Sequence, residues 1–309
     1  MGEAFDHRVL VASLTAKERK VLLEQDDRPA IDRAALHFTL IGIFTTWIAM
    51  GWAGWWLALL PQGLLLVFMF AAMHECTHKT AFRSDWLNTI VCWTAGLILL
   101  LPPHWFRYFH LAHHRYTHDP ERDPELAAPK PRTVQEYLWY LSGFPVWKSS
   151  VQALATNALG RCRDAFVPER GKSKVHREAM VMLGIYAVLA AVSITLQTTL
   201  LFWIWLAPIL LGQPFLRLFL LAEHAGCPHS TDMLCNTRTT FTAKLIRLLS
   251  WNMPFHTEHH VYPAVPFHKL PDFHRRIQAS LVNTEPGYTA FHAKFSQSLL
   301  GGGERKDAR

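Results

Sequence analysis

The chain has 309 residues, half of them hydrophobic, with 12 Trp and 19 Phe. Only 18% are charged, against roughly a quarter in ordinary soluble domains. The net charge of +7 would suit nucleic acid, but its distribution argues against that partner: no Asp, Glu, Lys or Arg occurs in 34–74 or 179–216, and each gap is about twice the ~20 residues that one membrane-spanning helix needs.

In chain order, 1–33 reads as a polar cytoplasmic segment, helical around 13–24 and without a cleavable signal. The first gap then predicts span one at 34–50 and span two at 52–73. Gly51-Trp52-Ala53-Gly54-Trp55-Trp56 supplies the turn between them, with Trp at the interface, and Pro61 is expected to kink the second span. Residues 86–101 form a third apolar run. It is short, carries Asn88 and ends in Pro102-Pro103, and it is expected to lie in the interface or re-enter. A polar loop follows at 119–132, then an interfacial amphipathic stretch at 136–163 and an exposed basic segment at 167–177. Spans three and four are predicted at 179–196 and 200–221, broken only by Gln197-Thr198-Thr199. A helix is expected at 241–251, and a disordered tail from 301 onward.

Two hairpins return the chain to one side each time, so all 31 Lys and Arg lie on one face, which the positive-inside rule makes cytoplasmic. The predicted fold is all-α and integral to the membrane, with four transmembrane helices in two hairpins and a cytoplasmic helical cap. Its divisions are a cytoplasmic segment at 1–33, a membrane domain at 34–275 and a cytoplasmic tail at 276–309. The five cysteines are odd in number and irregularly spaced, so free thiols are expected. Cys227, His229 and Cys235 lack a fourth ligand for zinc.

Three histidine clusters carry the chemistry. His74-Glu75-Cys76-Thr77-His78 places two imidazoles four residues apart, on one face of a helix. His110, His113, His114 and His118 fall within nine residues, and His256, His259 and His260 follow the same H-x-x-H-H spacing as His110, His113 and His114. Neutral imidazoles need partners and protonated ones repel, so a metal is the simplest reason to cluster them. The first cluster also matches H-E-x-x-H, the zinc ligands and general base of a metalloprotease. Yet a catalytic zinc takes three protein ligands, and eight clustered histidines suit two metal ions. Spacing alone does not name the metal. A metal transporter would want its ligands within the spans, whereas these sit at or beyond the span ends.

The order H-x-x-x-H, H-x-x-H-H, H-x-x-H-H on a two-hairpin membrane chain resembles the membrane fatty acid desaturase family. His74 to Phe82 looks like its first box. His110 to His114 with Asp123-Pro124-Glu125 looks like its second, and Asn252 to His260 with Pro263, Val265-Pro266 and Leu270-Pro271 like its third. The resemblance spans roughly 34–271. It implies an oxidoreductase with two iron ions, dioxygen as co-substrate and electrons from an external donor, a ferredoxin or cytochrome with its reductase. It implies iron ligands at His74, His78, His110, His113, His114, His256, His259 and His260, with His224 as a ninth. Some relatives add an Asn one turn before that position, where this chain has Leu220.

His118 is a candidate ligand or a neighbour that supports one. Glu75, Asp123, Glu223, Glu258 and Asn252 are candidates to orient ligating imidazoles. Asn236-Thr237-Arg238 looks like a short motif of bacterial-type relatives, without a deducible role. His104 and the single histidines, among them His7, His37, His176, His229, His268, His274 and His292, are expected to be ordinary hydrogen-bonded residues. The implied activity is double-bond formation in a lipid acyl chain, with hydroxylation of a lipid, carotenoid or smaller amphiphile as the alternative on the same ligands. The implied location is a multi-pass membrane protein, in the inner membrane if bacterial, with its centre facing the cytoplasm. The basic stretch 161–177 suits either an acidic electron donor or lipid headgroups.

Overall fold

The computed structural model describes residues 6–301 and is helical almost throughout. The predicted tail from 302 on lies outside the described residues. The chain opens with α1 (His7–Ala12), α2 (Ala16–Leu22) and α3 (Asp27–Ala49). Thr15 and Glu18 close a capping box that starts α2, and Asp26 caps α3. Gly51 and Gly54 adopt positive φ, turning the chain into a short 3₁₀ segment (Trp55–Ala58) and α4 (Leu59–His78). Pro61 falls in the first turn of α4, where no intrahelical N–H is required, so it starts the helix rather than kinking it.

After α4 come α5 (Asp85–Leu99) and α6 (Pro103–Tyr116), bent by 98° to one another. Leu100 at positive φ ends α5, and Pro102 and Pro103 start α6. Asn88, the polar residue of the apolar run, is buried. Its amide group bonds the backbone of Phe82 and Ser84 in the turn before α5. Next are α7 (Val134–Leu141) and α8 (Phe144–Ala158), where a single amphipathic stretch was expected. Gly143 separates them at φ +70, with its Cα placed so that a Cβ would lie 2.1 Å from Gln213 Cγ.

Then follow α9 (Glu169–Thr195), a π-helical segment (Phe202–Leu206) and α10 (Ala207–His224). The remainder is α11 (Met233–Asn236), β1 (Thr239–Thr240), α12 (Lys244–Leu249), α13 (His256–Val261), α14 (Leu270–Ile277), β2 (Thr284–Glu285) and α15 (Tyr288–Leu300). Helix α12 is shorter than the predicted 241–251. The two short strands pair in parallel. The region expected as a tail contains α15, whose Phe291 and Phe295 are buried with Leu221 and Ala222 of α10.

Among the described residues, three segments are long and apolar enough to cross a membrane, Trp55–His78, Glu169–Thr195 and Phe202–His224, and the bent pair α5–α6 is a fourth candidate. These hold three of the four predicted spans. The predicted span at 34–50 falls on α3, whose charge-free part, 34–49, rises about 24 Å at ~1.5 Å per residue. That alone is short of a ~30 Å hydrocarbon layer, whereas the whole helix of 23 residues rises about 35 Å. Helix α3 packs along α4: His37 Nε2 donates to Leu65 O at 2.8 Å, and Gln62 Nε2 to Thr45 Oγ1 at 2.9 Å.

The central contact is α4 against α10. A Cβ on Gly63 would lie 2.1 Å from Pro208 O, and one on Gly212 would lie 2.4 Å from Gly63 O. The backbones meet because neither residue has a side chain. Helix α6 is fixed by α9: both Glu178 carboxylate oxygens accept from its first turn, from His104 N at 2.7 Å and Trp105 N at 3.1 Å. An anion is favourable at that end of a helix.

Candidate metal centre

The end of α4 carries His74 and His78, α6 carries His110, His113 and His114, α10 ends at His224, and α13 carries His256, His259 and His260. The fold gathers all nine. Ring nitrogens of His74, His78, His110, His114 and His259 all lie within 4.8 Å of one another, and those of His113, His224 and His260 form a second such group. His256 joins the second group, its Nε2 3.1 Å from His224 Nε2.

Within the first group, His74 and His259 approach to 2.7 Å between Nε2 atoms, His78 and His110 to 2.7 Å, and His114 and His110 to 3.0 Å. Within the second, His113 Nε2 is 3.2 Å from His224 Nε2. Rings of His114 and His260 stack at 4.0 Å across the two groups.

These contacts cannot all be hydrogen bonds. A neutral imidazole has one donor and one acceptor, yet several Nε2 atoms converge on the same points. Two nitrogens bound at right angles to one ion at ~2.1 Å sit about 3 Å apart, which matches the separations found. His260 Nε2 is buried with no hydrogen-bond partner, facing the second group. On α13, burial first and neighbouring imidazoles second hold His256 and His260 well below the ordinary histidine pKa, and burial does the same for His259. All three therefore offer lone pairs rather than charge. The residues present fit two metal ions, one with five imidazoles and one with four.

The outer nitrogens show how the rings are aimed. His113 Nδ1 donates to Asp123 Oδ1 at 2.9 Å. The same carboxylate accepts from the backbone of Glu125 and His118, so it fixes the loop and the ring together. His224 Nδ1 donates to Asn236 O at 3.1 Å. Glu223 Oε1 lies 3.4 Å from His256 Nδ1, and Glu75 Oε1 3.7 Å from His259 Nδ1. The other Glu75 oxygen accepts from Thr80 Oγ1 and Phe267 N.

Three sequence candidates lie elsewhere. His118 adopts φ +63 and sends Nδ1 to Pro228 O at 3.1 Å, outside both groups. Glu258 points away from the imidazoles of its own helix, accepting from Thr239 Oγ1 at 2.6 Å and His274 Nδ1 at 2.5 Å. Asn252, at φ +60, holds a turn by donating to Phe267 O at 3.0 Å. The Asn236-Thr237-Arg238 motif gains a role: the Asn236 carbonyl aims His224, and Arg238 ties the end of α10 through Ala222 O and Glu223 O.

Glu125 had no role assigned from the sequence. One oxygen lies 3.4 Å from His113 Nε2 and the other pairs with Lys130. Burial opposes its ionisation, but Lys130 and His113 outweigh that and hold its carboxyl well below the usual range. Its only sequence signal was its place two residues after Asp123. Cys76, Cys92, Cys162 and Cys235 are free thiols. His7, His37, His176 and His292 each find a hydrogen-bond partner outside the centre.

Long apolar helices around a buried double set of imidazoles define a helical membrane protein with a histidine metal centre. The fatty acid desaturase family model matches residues 17–292, and the chain belongs to that family. It is therefore an oxidoreductase, and the zinc protease reading of His74-Glu75-His78 has no support. Among curated relatives, an sn-1 oleoyl-lipid 12-desaturase of Picosynechococcus is 26% identical over 79% of this chain and 75% of its own length. A bifunctional fatty acid conjugase/Delta(12)-oleate desaturase of Punica granatum is 28% identical over 58% of this chain and half of its own length. A dihydrorhizobitoxine desaturase of Bradyrhizobium elkanii is 27% identical over 80% and 74%.

Proposed function

We propose that the chain inserts a double bond into the acyl chain of a lipid amphiphile, using two iron ions, dioxygen and two electrons from an external ferredoxin or cytochrome system. The observation that carries this reading is the division of nine imidazoles into adjoining sets of five and four. Bound iron would supply oxygen activation and removal of hydrogen from an unactivated carbon.

The protein's own residues do the rest. His74, His78, His110, His114 and His259 would hold one ion, and His113, His224, His256 and His260 the other. Asp123 and the Asn236 carbonyl keep His113 and His224 in the tautomer that leaves Nε2 free to ligate, and Glu223 is placed to do the same for His256. Helices α4, α6, α10 and α13 bury these rings, His78 only in part, and limit the access of bulk water to them.

In the membrane, the charge-free gaps support two hairpins that return the centre to the cytoplasmic side. The segment from α5 to α6 leaves His78 and comes back to it, since His78 and His110 touch. A re-entrant path, rather than a crossing, accounts for that return.

The test is metal analysis of purified protein together with mass spectrometry of lipids from cells with and without the gene. About two iron per chain and an acyl product lighter by two hydrogens are expected. A single zinc, or an unchanged lipid profile, would overturn the proposal, and a gain of one oxygen would move it to hydroxylation.

A further inference from the structure

Arg217 is a charge set within an apolar helix. It lies inside the apolar segment Phe202–His224, is 9% exposed, and its Nε is buried with no hydrogen-bond partner. Among the described residues no carboxylate forms an ion pair with it. Its recorded neighbour is the Tyr140 ring, 6.0 Å from Cζ to centroid. A guanidinium keeps its proton in any protein environment, so an unpaired one is strongly unfavourable when buried. Ionisable groups within spans mark functional positions for that reason.

Its position connects it to the metal centre. Arg217 precedes His224 by seven residues, about two turns and roughly 10 Å along α10, on the same face. Turn Ser142–Gly143 closes one side, packed on Gln213, and Tyr140 comes with it. Toward the end of α10 stands Glu223, and beside His113 the pair Glu125–Lys130. Within this set, Glu125 is occupied by Lys130 and His113, and Glu223 lies beside His256. Arg217 Nε is the buried donor left without a partner. An alkyl chain packed against Arg217 would leave the charge stranded.

We propose that Arg217, flanked by Tyr140, binds an oxyanion of the substrate, a carboxylate or a phosphate, so that the enzyme selects anionic amphiphiles over neutral esters. This rests on the desaturase reading above and narrows its substrate class. A guanidinium suits this work because its planar donors match both anions in a two-point contact.

The experiment measures equilibrium binding by full-length, metal-loaded protein in neutral detergent, by calorimetry, with dodecanoate, dodecyl phosphate and methyl dodecanoate. Binding needs no turnover, so it is scored separately from metal content and from lipid desaturation, where failure of the desaturase reading would appear. The native protein is expected to prefer at least one anion over the ester by about tenfold. The preferred anion identifies the source as free acid or phosphate. Arg217→Met is expected to bring the anions to the level of the ester and leave the ester unchanged, and Arg217→Lys to restore part of the preference. Arg217→Met is also expected to melt at the same or a higher temperature, because it removes an unpaired buried charge. Equal binding of all three probes by the native protein would overturn the proposal. So would a preference that survives Arg217→Met, or a lower melting temperature in that variant, which would mark Arg217 as structural.

Discussion

At the scale of residues, the centre depends on where each imidazole points. His114 touches both groups, 3.0 Å from His110 and stacked on His260. His114→Ala is therefore expected to abolish turnover and lower bound metal together. Iron counted by plasma emission beside product formation checks this, and retained turnover would refute the assignment. Asp123 acts at one remove. Its carboxylate holds the His113 ring and two backbone N–H groups at once. Asp123→Ala is expected to weaken metal binding by about 10–100-fold, the usual cost of losing such a partner, with His74→Ala as the comparison for loss of a ligand. Competition with a coloured chelator reads the difference. The sequence showed which histidines to suspect, because their spacing repeats. It did not separate Asp123 from Glu258, since a carboxylate beside a box looks the same in one dimension whether it faces the metal or His274.

At the scale of elements, the site requires α4 and α10 to cross closely. Gly63 and Gly212 meet backbone to backbone, so a side chain on either forces the helices apart. Gly63→Val is expected to destabilise the protein by about 1–3 kcal/mol, as overpacking commonly does, and to lower activity by shifting His74 and His78 relative to His224. Thermal unfolding in detergent and metal content measure both effects. Gly184 is a control: a Cβ there meets nothing within 4 Å, so Gly184→Ala is expected to be tolerated. Sequence patterning located three long apolar helices, because loss of charge over forty residues is a strong local signal. It did not show that α3 packs along α4, because a charge-free run does not report which partner a helix leans on. It also joined α7 to α8, because only the packing of Gly143 on Gln213 requires the break.

At the scale of the whole molecule, the metal ions would tie distant parts of the chain together. His74 meets His259 across 185 residues of sequence, and His113 meets His224 across 111. Ligands that bind only the folded state stabilise it by mass action, ~4 kcal/mol at a thousand times the dissociation constant. Chelation is therefore expected to lower the melting temperature, and iron(II) to restore it. An unchanged melting curve after verified metal removal would show that packing alone holds the four segments in place.

The sequence by itself determined the class of protein. Histidine spacing, the charge-free gaps and the order of the boxes are local patterns, and local patterns survive in one dimension. The tertiary structure decided the grouping: His259 joins the ring set of α4 and α6 while its neighbour His260 faces that of α10. Adjacent residues on a helix diverge by about 100°, so one box can serve two ions, and only the packing of α13 fixes which imidazole goes where. The structure alone also singled out Arg217. In sequence it is an ordinary charge after an apolar run, and it becomes informative only once the absence of a partner around it is known.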